Sequence, residues 1–368
     1  MQPGQERITP PIEPMLAKPA PSATLDQFHQ VAFEPKWDGF RCLVFHLSSG
    51  IVLQGRGRSR SNAEVVDLAY AFPELVEWVA GATATGTVLD AEIVVRSEGH
   101  LDFGALAARL RPRAAAQRES IVTLAQGQPA CLLVFDLLAN PVPIMALPFI
   151  ERRNLLREAC TGWGEGLMLT PSTEDRSVAE RWFNEYEQAG VDGLIAKPLH
   201  DPYIPGKRTQ WKIKHHRTAD MVVAGWRPQR AKDGSSVVGS LLLGLYDSDG
   251  ALQYVGGTAA FTDAVRRELL AKVAPYRHAP TDSHPWLGSQ GNRVPGGATR
   301  WGPGKDWEPL RPELVVEVTY DQLQGPRFRH PVSFSRWRPD RDPTTCGFDQ
   351  FPPTMSTSIS GLLDSAAP

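Results

Sequence analysis

The sequence predicts an α+β chain of two domains, the second a small β-barrel of the OB-fold kind. Three observations predict it. At 368 residues the chain is longer than one hydrophobic core usually serves. Up to residue 217, short β-like runs alternate with helical patterns. From Met221 onward the β-like runs follow one another with a single amphipathic helix among them, a count that suits a five-stranded barrel.

Taken in order, residues 1–24 are proline-rich (Pro10-Pro11, Pro14, Pro19, Pro21) and predict an extended arm carrying Met15-Leu16-Ala17. The first domain is placed at 25–217. It opens on Val31-Ala32-Phe33 and Cys42–Phe45, strands that flank Glu34-Pro35-Lys36-Trp37-Asp38-Gly39-Phe40-Arg41. Ile51–Leu53 and Thr87–Leu89 read as further strands, with helical turns over Ala63–Ala71 and Glu74–Ala80 between them. Phe103–Arg111 is a short helix stopped by Pro112. Cys131–Phe135 is a continuous apolar run, as a strand buried on both faces requires. Two helices follow, Glu151–Cys160 and Val178–Ala189, the second with Ser177 as its cap and Gly190 past its end. Leu194–Ala196 and Trp211–Lys214 read as strands of the same domain.

The second domain is placed at 218–343. Met221–Ala224, Val237–Tyr246 and Leu252–Val255 are β-like, with Ser248-Asp249-Gly250 a hairpin turn. The helix Thr262–Val273, a long loop over 279–309 and the strand Leu314–Val318 complete it. Residues 344–368 are rich in Ser, Thr and Pro and predict a disordered tail.

Composition narrows the function classes. With 42% hydrophobic and 22% charged residues and a net charge of -2, no global basic field draws nucleic acid, so any polyanion site must be local. Cys42, Cys131, Cys160 and Cys346 are scattered without a C-x-x-C pair, which argues against a structural zinc and a disulfide framework and fits a reducing cytoplasm. Met1–Thr9 is polar, without the apolar region of a signal peptide, and no apolar run is long enough to span a membrane.

Six clusters carry chemistry. Lys36 and Asp38 sit at a turn or sheet edge with Gly39 beside them, and a lysine is a nucleophile only where its surroundings favour the free amine. Asp90 and Glu92, two apart on a strand, share a face. Phe135-Asp136 closes the buried strand; its ring is core or a stacking platform. Asp192-Gly193 precedes Leu194–Lys197. Lys212 and Lys214 point to one face, Trp211 and Ile213 to the other, an arrangement suited to phosphate. Arg327, Arg329, Arg336 and Arg338 interleave with aromatics, as polyphosphate or nucleic-acid sites do. There is no P-loop, no G-x-G-x-x-G, no G-x-S-x-G and no H-E-x-x-H, so a nucleotide would be held by other means.

This order of motifs resembles the covalent nucleotidyltransferase superfamily, most closely the ATP-dependent DNA ligases of the compact bacterial LigC type, over residues 10–343. EPKWDGFR resembles motif I, with Lys36 as the adenylated lysine. Arg56 resembles the motif Ia arginine, with Arg58 and Arg60 as alternatives because the usual Ser-Arg-Asn-Gly is missing. LDAEIVV, VFDLL, DGLIAKP and WKIKHHRTAD resemble motifs III, IIIa, IV and V, and RFRHPVSFSRWRPDRDP resembles motif VI. Motif IV departs from the family in carrying Asp192 where a glutamate is usual.

The resemblance implies a nucleotidyltransferase domain of the ATP-grasp-like ligase adenylation kind followed by an OB-fold domain. It implies ATP as substrate, Mg2+ or Mn2+ held with Asp192 and Glu92, and a lysyl-AMP on Lys36 passed to a DNA nick. Glu34 would face adenine, Phe135 stack on it and Glu92 contact the ribose. Arg41, Lys212 and Lys214 would bind phosphate or ribose, Asp38 would assist later steps, and Arg327, Arg329, Arg336 and Arg338 would orient pyrophosphate or DNA. It further implies a monomer in the bacterial cytoplasm or nucleoid, sealing nicks in DNA repair, with a repair polymerase or end-binding protein as partner. An RNA ligase, a capping-type nucleotidyltransferase or an inactive nucleic-acid-binding relative are the alternatives.

Overall fold

A computed structural model of the chain describes residues 7–21, 24–58, 65–110, 116–187, 189–215, 217–231, 233–258, 261–279, 283–287, 306–321, 323–324, 326–328, 330–351 and 357–364. The chain divides into two compact units, Met1–Lys214 with Thr354–Pro368, and His215–Pro353.

The first unit is built on two sheets. The larger contains β3 (Phe40–Leu47), β4 (Gly50–Arg58), β5 (Val65–Asp67), β6 (Val88–Ser97), β8 (Ala130–Ala139) and β9 (Leu167–Leu169), in the order β5-β4-β3-β6-β8-β9, with the short β7 (His100–Leu101) paired to β6. The smaller is β1 (Leu16–Pro19), β11 (Arg208–Ile213), β10 (Val191–Pro198) and β2 (Val31–Trp37), in that order. The alternation of β8 fails because both its faces are covered: Leu132, Val134 and Leu137 pack in one core cluster, and Cys131 and Leu133 in another. Helices α1 (Pro73–Ala82), α2 (Phe103–Arg109), α3 (Ala116–Gly127), α4 (Phe149–Ala159) and α5 (Arg176–Glu185) complete the unit.

Several local expectations are corrected. Within Ala63–Ala71 the chain forms β5 and a 3-10 turn, Ala69–Ala71, because Asp67 Oδ1 accepts from Leu53 N and Ala69 N and holds the segment against β4. Helix α5 begins earlier than expected. Its cap is Asp175, whose Oδ1 accepts from Ser177 N at 2.8 Å and Val178 N at 3.4 Å. The arm is not merely extended: β1 adds to the small sheet in parallel with β11, and Met15 is buried.

Residues past 343 were expected to be disordered, and their described part is ordered. Cys346 is buried in the core of the second unit, and Gln350 Nε2 donates to Asp220 O at 3.1 Å. The helix α7 (Ile359–Asp364) buries Ile359, Leu362 and Leu363 in the core of the first unit, and Ile359 N donates to Gly99 O at 2.8 Å. The low-complexity flanks hide one apolar turn whose burial offsets the entropy of ordering it.

The second unit is a five-stranded antiparallel sheet, β14 (Leu252–Gly257), β13 (Ser236–Tyr246), β12 (Arg217–Arg230), β15 (Glu308–Tyr320) and β18 (Ser333–Trp337), with a hairpin of β16 (Leu323–Gln324) and β17 (Arg327–Phe328). Bulges interrupt β12 against both neighbours, as strong curvature requires. Helix α6 (Asp263–Val273), capped by Thr262, buries Leu269 and Val273 against this sheet. The expected strand Leu314–Val318 lies in the C-terminal half of the longer β15.

Candidate active site

The first unit holds a cavity of about 610 Å³ where its two sheets face each other. Strand β2 carries Glu34 and Lys36 into its wall, β6 carries Glu92, β8 carries Phe135, and β11 with the residue after it carries Lys212 and Lys214. Asp38, Arg41 and Arg56 line it as well. Residues brought together from across the sequence therefore share one space.

The turn between β2 and β3 is tight for a steric reason. A Cβ on Gly39 would lie 2.2 Å from Ile93 O and 2.8 Å from Glu92 Cγ. Glycine here lets the turn press on β6, which sets Glu92 beside the lysine strand. Gly193 works similarly: with φ +113 it forms the irregularity in β10, and a Cβ would meet Ile213 O at 2.0 Å. Beside that distortion, Asp192 meets Lys36 and Lys214.

Lys36 Nζ donates to Asp192 Oδ2 at 2.6 Å, and Lys214 Nζ lies 2.9 Å from the same oxygen. Burial acts to raise the Asp192 carboxyl, but the charges of Lys36 and Lys214 outweigh it and hold the group below the usual carboxylate range. Lys212 is lowered, first by burial and then by the cations Lys214, Lys36 and Arg208. Such a cluster of like charges fits a bound polyanion. Trp211 turns away to stack edge-on against Phe28, at 5.6 Å between ring centroids, and Ile213 is fully buried.

Glu92 shows the opposite shift. Burial pushes its carboxyl up to about 7 although Arg41 and Lys36 pull it down. Arg41 forks onto Asp90, Nε to Oδ1 at 2.8 Å and Nη2 to Oδ2 at 2.5 Å, and its guanidinium carbon is 5.1 Å from the centroid of Phe135. Lys197 Nζ is 4.8 Å from that same ring, donates to Phe135 O at 2.9 Å and pairs with Glu34 Oε2 at 2.6 Å. Glu34 is 1% exposed, and its Oε1 has no hydrogen-bond partner among the described residues.

Lys197 and Arg208, which the sequence places in charged clusters without a specific role, both line the cavity. The signal for Lys197 was its place at the end of the Leu194–Lys197 strand, on the side opposite Ala196. Asp136 is structural: Arg152 Nε donates to its Oδ1 at 2.9 Å inside the core.

Of the four arginines in the second unit, Arg329 lies outside the described residues, as does Arg60 of the motif Ia alternatives. The side chain of Arg58 is likewise not described. Arg336 is exposed and pairs with Glu317 at 2.8 Å. Arg327 lies 5.0 Å from the Tyr254 ring centroid, with its Nη2 buried and without a partner among the described residues. Arg338 differs from expectation. Its Nη1 donates to both oxygens of Asp220 at 2.9 Å and its Nη2 to Asp340 at 2.8 Å, so its own unit commits the fork that was expected to meet phosphate.

A lysine held by a carboxylate, backed by two more lysines and facing a glutamate and an aromatic ring, has the charge and the flat platform that chemistry on a nucleotide phosphate of the covalent nucleotidyltransferase kind calls for. Comparison with known proteins agrees. The model of the ATP dependent DNA ligase domain matches residues 14–214, and that of the ATP dependent DNA ligase C terminal region matches 234–341. DNA ligase C of Mycobacterium tuberculosis is 42% identical over 97% of this chain and 98% of its own length. DNA ligase C2 of Mycolicibacterium smegmatis is 43% identical over 96% and 98%. A solved Lig E DNA ligase shares the fold at TM-score 0.53 and 16% identity, covering 89% of this chain and 99% of that one. The chain belongs to the ATP-dependent DNA ligases, and within them to the compact bacterial LigC type. No helix among the described residues is long and apolar enough to cross a membrane.

Proposed function

We propose that this ligase seals 3′-hydroxyl/5′-phosphate nicks in duplex DNA through an AMP carried on Lys36, and that it serves DNA repair. The observation that carries the reading is that Lys36 and Lys214, which line the cavity together with Glu92 and Phe135, meet at one carboxylate oxygen of Asp192.

In the first step the Lys36 nitrogen, once it has given up its proton, attacks the α-phosphorus of ATP. The N–P bond forms as the bond to the β-phosphate oxygen breaks and pyrophosphate leaves. Asp192 orients the nitrogen, and Lys212 and Lys214 neutralise the phosphoryl oxygens. Phe135 offers a face to the base, and Glu34, paired with Lys197 at 2.6 Å and Arg153 at 3.7 Å, stands in the same cavity wall to face the adenine. Glu92 takes a ribose hydroxyl. The AMP then passes to the 5′-phosphate of the nick, and the 3′-hydroxyl displaces it to close the backbone, with Asp38 assisting. Arg327, Arg329 and Arg336 supply charge toward pyrophosphate or DNA.

A divalent cation, Mg2+ or Mn2+, would take its ligands partly from the nucleotide. Among the described residues no cluster of three or more His, Cys, Asp or Glu forms a protein cage, and an ion of this kind is commonly held by one or two carboxylates together with substrate phosphates and water. Asp192 and Glu92 would hold it, and it would supply charge neutralisation on phosphate oxygens. Sealing assays on nicked DNA and on RNA-containing duplexes, with ATP against GTP, test the assignment. Sealing of DNA with ATP is expected; a preference for an RNA nick or for GTP would overturn it.

A further inference from the structure

Arg41 is fixed from behind by residues that do not line the cavity. Both oxygens of Asp90 accept its fork, at 2.8 and 2.5 Å, and Asp90 has no exposed surface. Burying a carboxylate is costly unless donors fill its oxygens. The donor besides Arg41 is the hydroxyl of Tyr203, 2.7 Å from Asp90 Oδ2. That hydroxyl in turn accepts from the backbone N–H of Met15 at 2.9 Å, which leaves its single proton to point at Asp90. Burial, and after it the charge of Asp90, raise the phenol well above its usual range, so it remains a donor.

The ring of Tyr203 is 3% exposed, and Tyr203 N donates to Met145 O at 2.8 Å. Met15 belongs to the arm, with its Sδ accepting from Ile204 N at 3.2 Å. A line of contacts thus runs from the arm through Tyr203 and Asp90 to Arg41. The fork uses Nε and Nη2 of Arg41 and leaves its third nitrogen, Nη1, outside the pairing.

We propose that Tyr203 is a positioning residue for adenylation: its hydroxyl fixes the Asp90 carboxylate so that Arg41 presents Nη1 to the nucleotide. The inference rests on the reading of Arg41 as a nucleotide-contacting group. Without the hydroxyl, Asp90 Oδ2 keeps one donor in place of two, the Met15 N–H loses its acceptor, and the carboxylate gains freedom to turn under the guanidinium. Small misplacements of a reacting constellation cost rate out of proportion to their size.

The test is single-turnover adenylation of the full chain with ATP and Mg2+, for wild type, Tyr203→Phe, Arg41→Ala and the double variant. Tyr203→Phe keeps the ring and is expected to slow adenylation by roughly tenfold, the scale of losing one hydrogen bond to a charged group. In the Arg41→Ala background the same change should add nothing. Equal fold losses in both backgrounds, or a wild-type rate for Tyr203→Phe, would overturn the inference. A wild-type rate for Arg41→Ala would instead defeat the reading of Arg41 itself. If Tyr203→Phe does not melt cooperatively, Asp90→Asn takes its place in the same cycle: a loss confined to the Arg41 background supports the inference, and equal losses in both overturn it.

Discussion

Asp192 Oδ2 stands 2.6 Å from Lys36 Nζ and 2.9 Å from Lys214 Nζ, so one carboxylate oxygen gathers the lysine of motif I and a lysine of motif V. The shorter side chain at this position reaches both lysines, next to the irregular backbone at Gly193. The position that departs from the family pattern is thereby placed at the centre of the charge cluster.

Asp192→Asn keeps the shape and removes the charge that holds two lysines together. Label transfer from ATP should fall by about ten- to a hundredfold, since orientation and charge balance are both lost. Asp192→Glu should retain more activity than Asp192→Asn. Equal activity in Asp192→Asn and wild type, measured as single-turnover adenylation, would remove Asp192 from the site.

Glu92 gives a pH signature. Its carboxyl is raised from 4.5 to about 7 by burial, so the folded protein holds the proton where an unfolded chain has released it. The stability this group contributes is full below about 4.5 and is lost as pH rises toward 7. A ribose hydroxyl prefers the ionised carboxylate, so ATP affinity should rise from about pH 6 to about pH 8 and flatten in Glu92→Gln. Calorimetric titration at several pH values decides it; an unchanged slope in the variant would refute the assignment.

Gly39→Ala places a methyl group 2.2 Å from Ile93 O, a backbone atom that has little room to give. Overpacking of this kind costs about 1–3 kcal/mol. Thermal unfolding should show the loss, and adenylation should fall with it because Glu92 and Lys36 flank the same turn. A melting temperature equal to wild type would contradict the geometry.

Truncation after Phe351 removes α7 and uncovers the core residues beneath it. Ile359, Leu362 and Leu363 are each at most 4% exposed. Each such side chain contributes about 1.5–3 kcal/mol on burial, partly offset by the entropy of ordering the segment. The truncated chain should melt lower, by several degrees. An unchanged melting temperature would mean that α7 adds nothing to the first unit.

The parts of the site legible in the sequence were those where chemistry and local pattern coincide. Lys36, Glu92 and Lys212 sit on strands whose alternation is readable, and the structure places them in one cavity. What stayed hidden depended on distant pairing. Nothing near Tyr203 in sequence says that its hydroxyl meets Asp90, 113 residues away. Arg338 looked like an open phosphate fork until Asp220, 118 residues earlier, was seen to fill it. The helix α7 was masked by the composition of its flanks, which is set by a few turn residues and not by the apolar face it buries.

The central claim is that Lys36 carries the AMP. Incubation with α-labelled ATP and Mg2+, followed by digestion and mass spectrometry, should find one adenylate on the peptide containing Lys36 and none in Lys36→Ala, which should also fail to seal nicked DNA. Label on the Lys36→Ala protein at the wild-type level, or an adenylate mapped to another residue, would contradict the account.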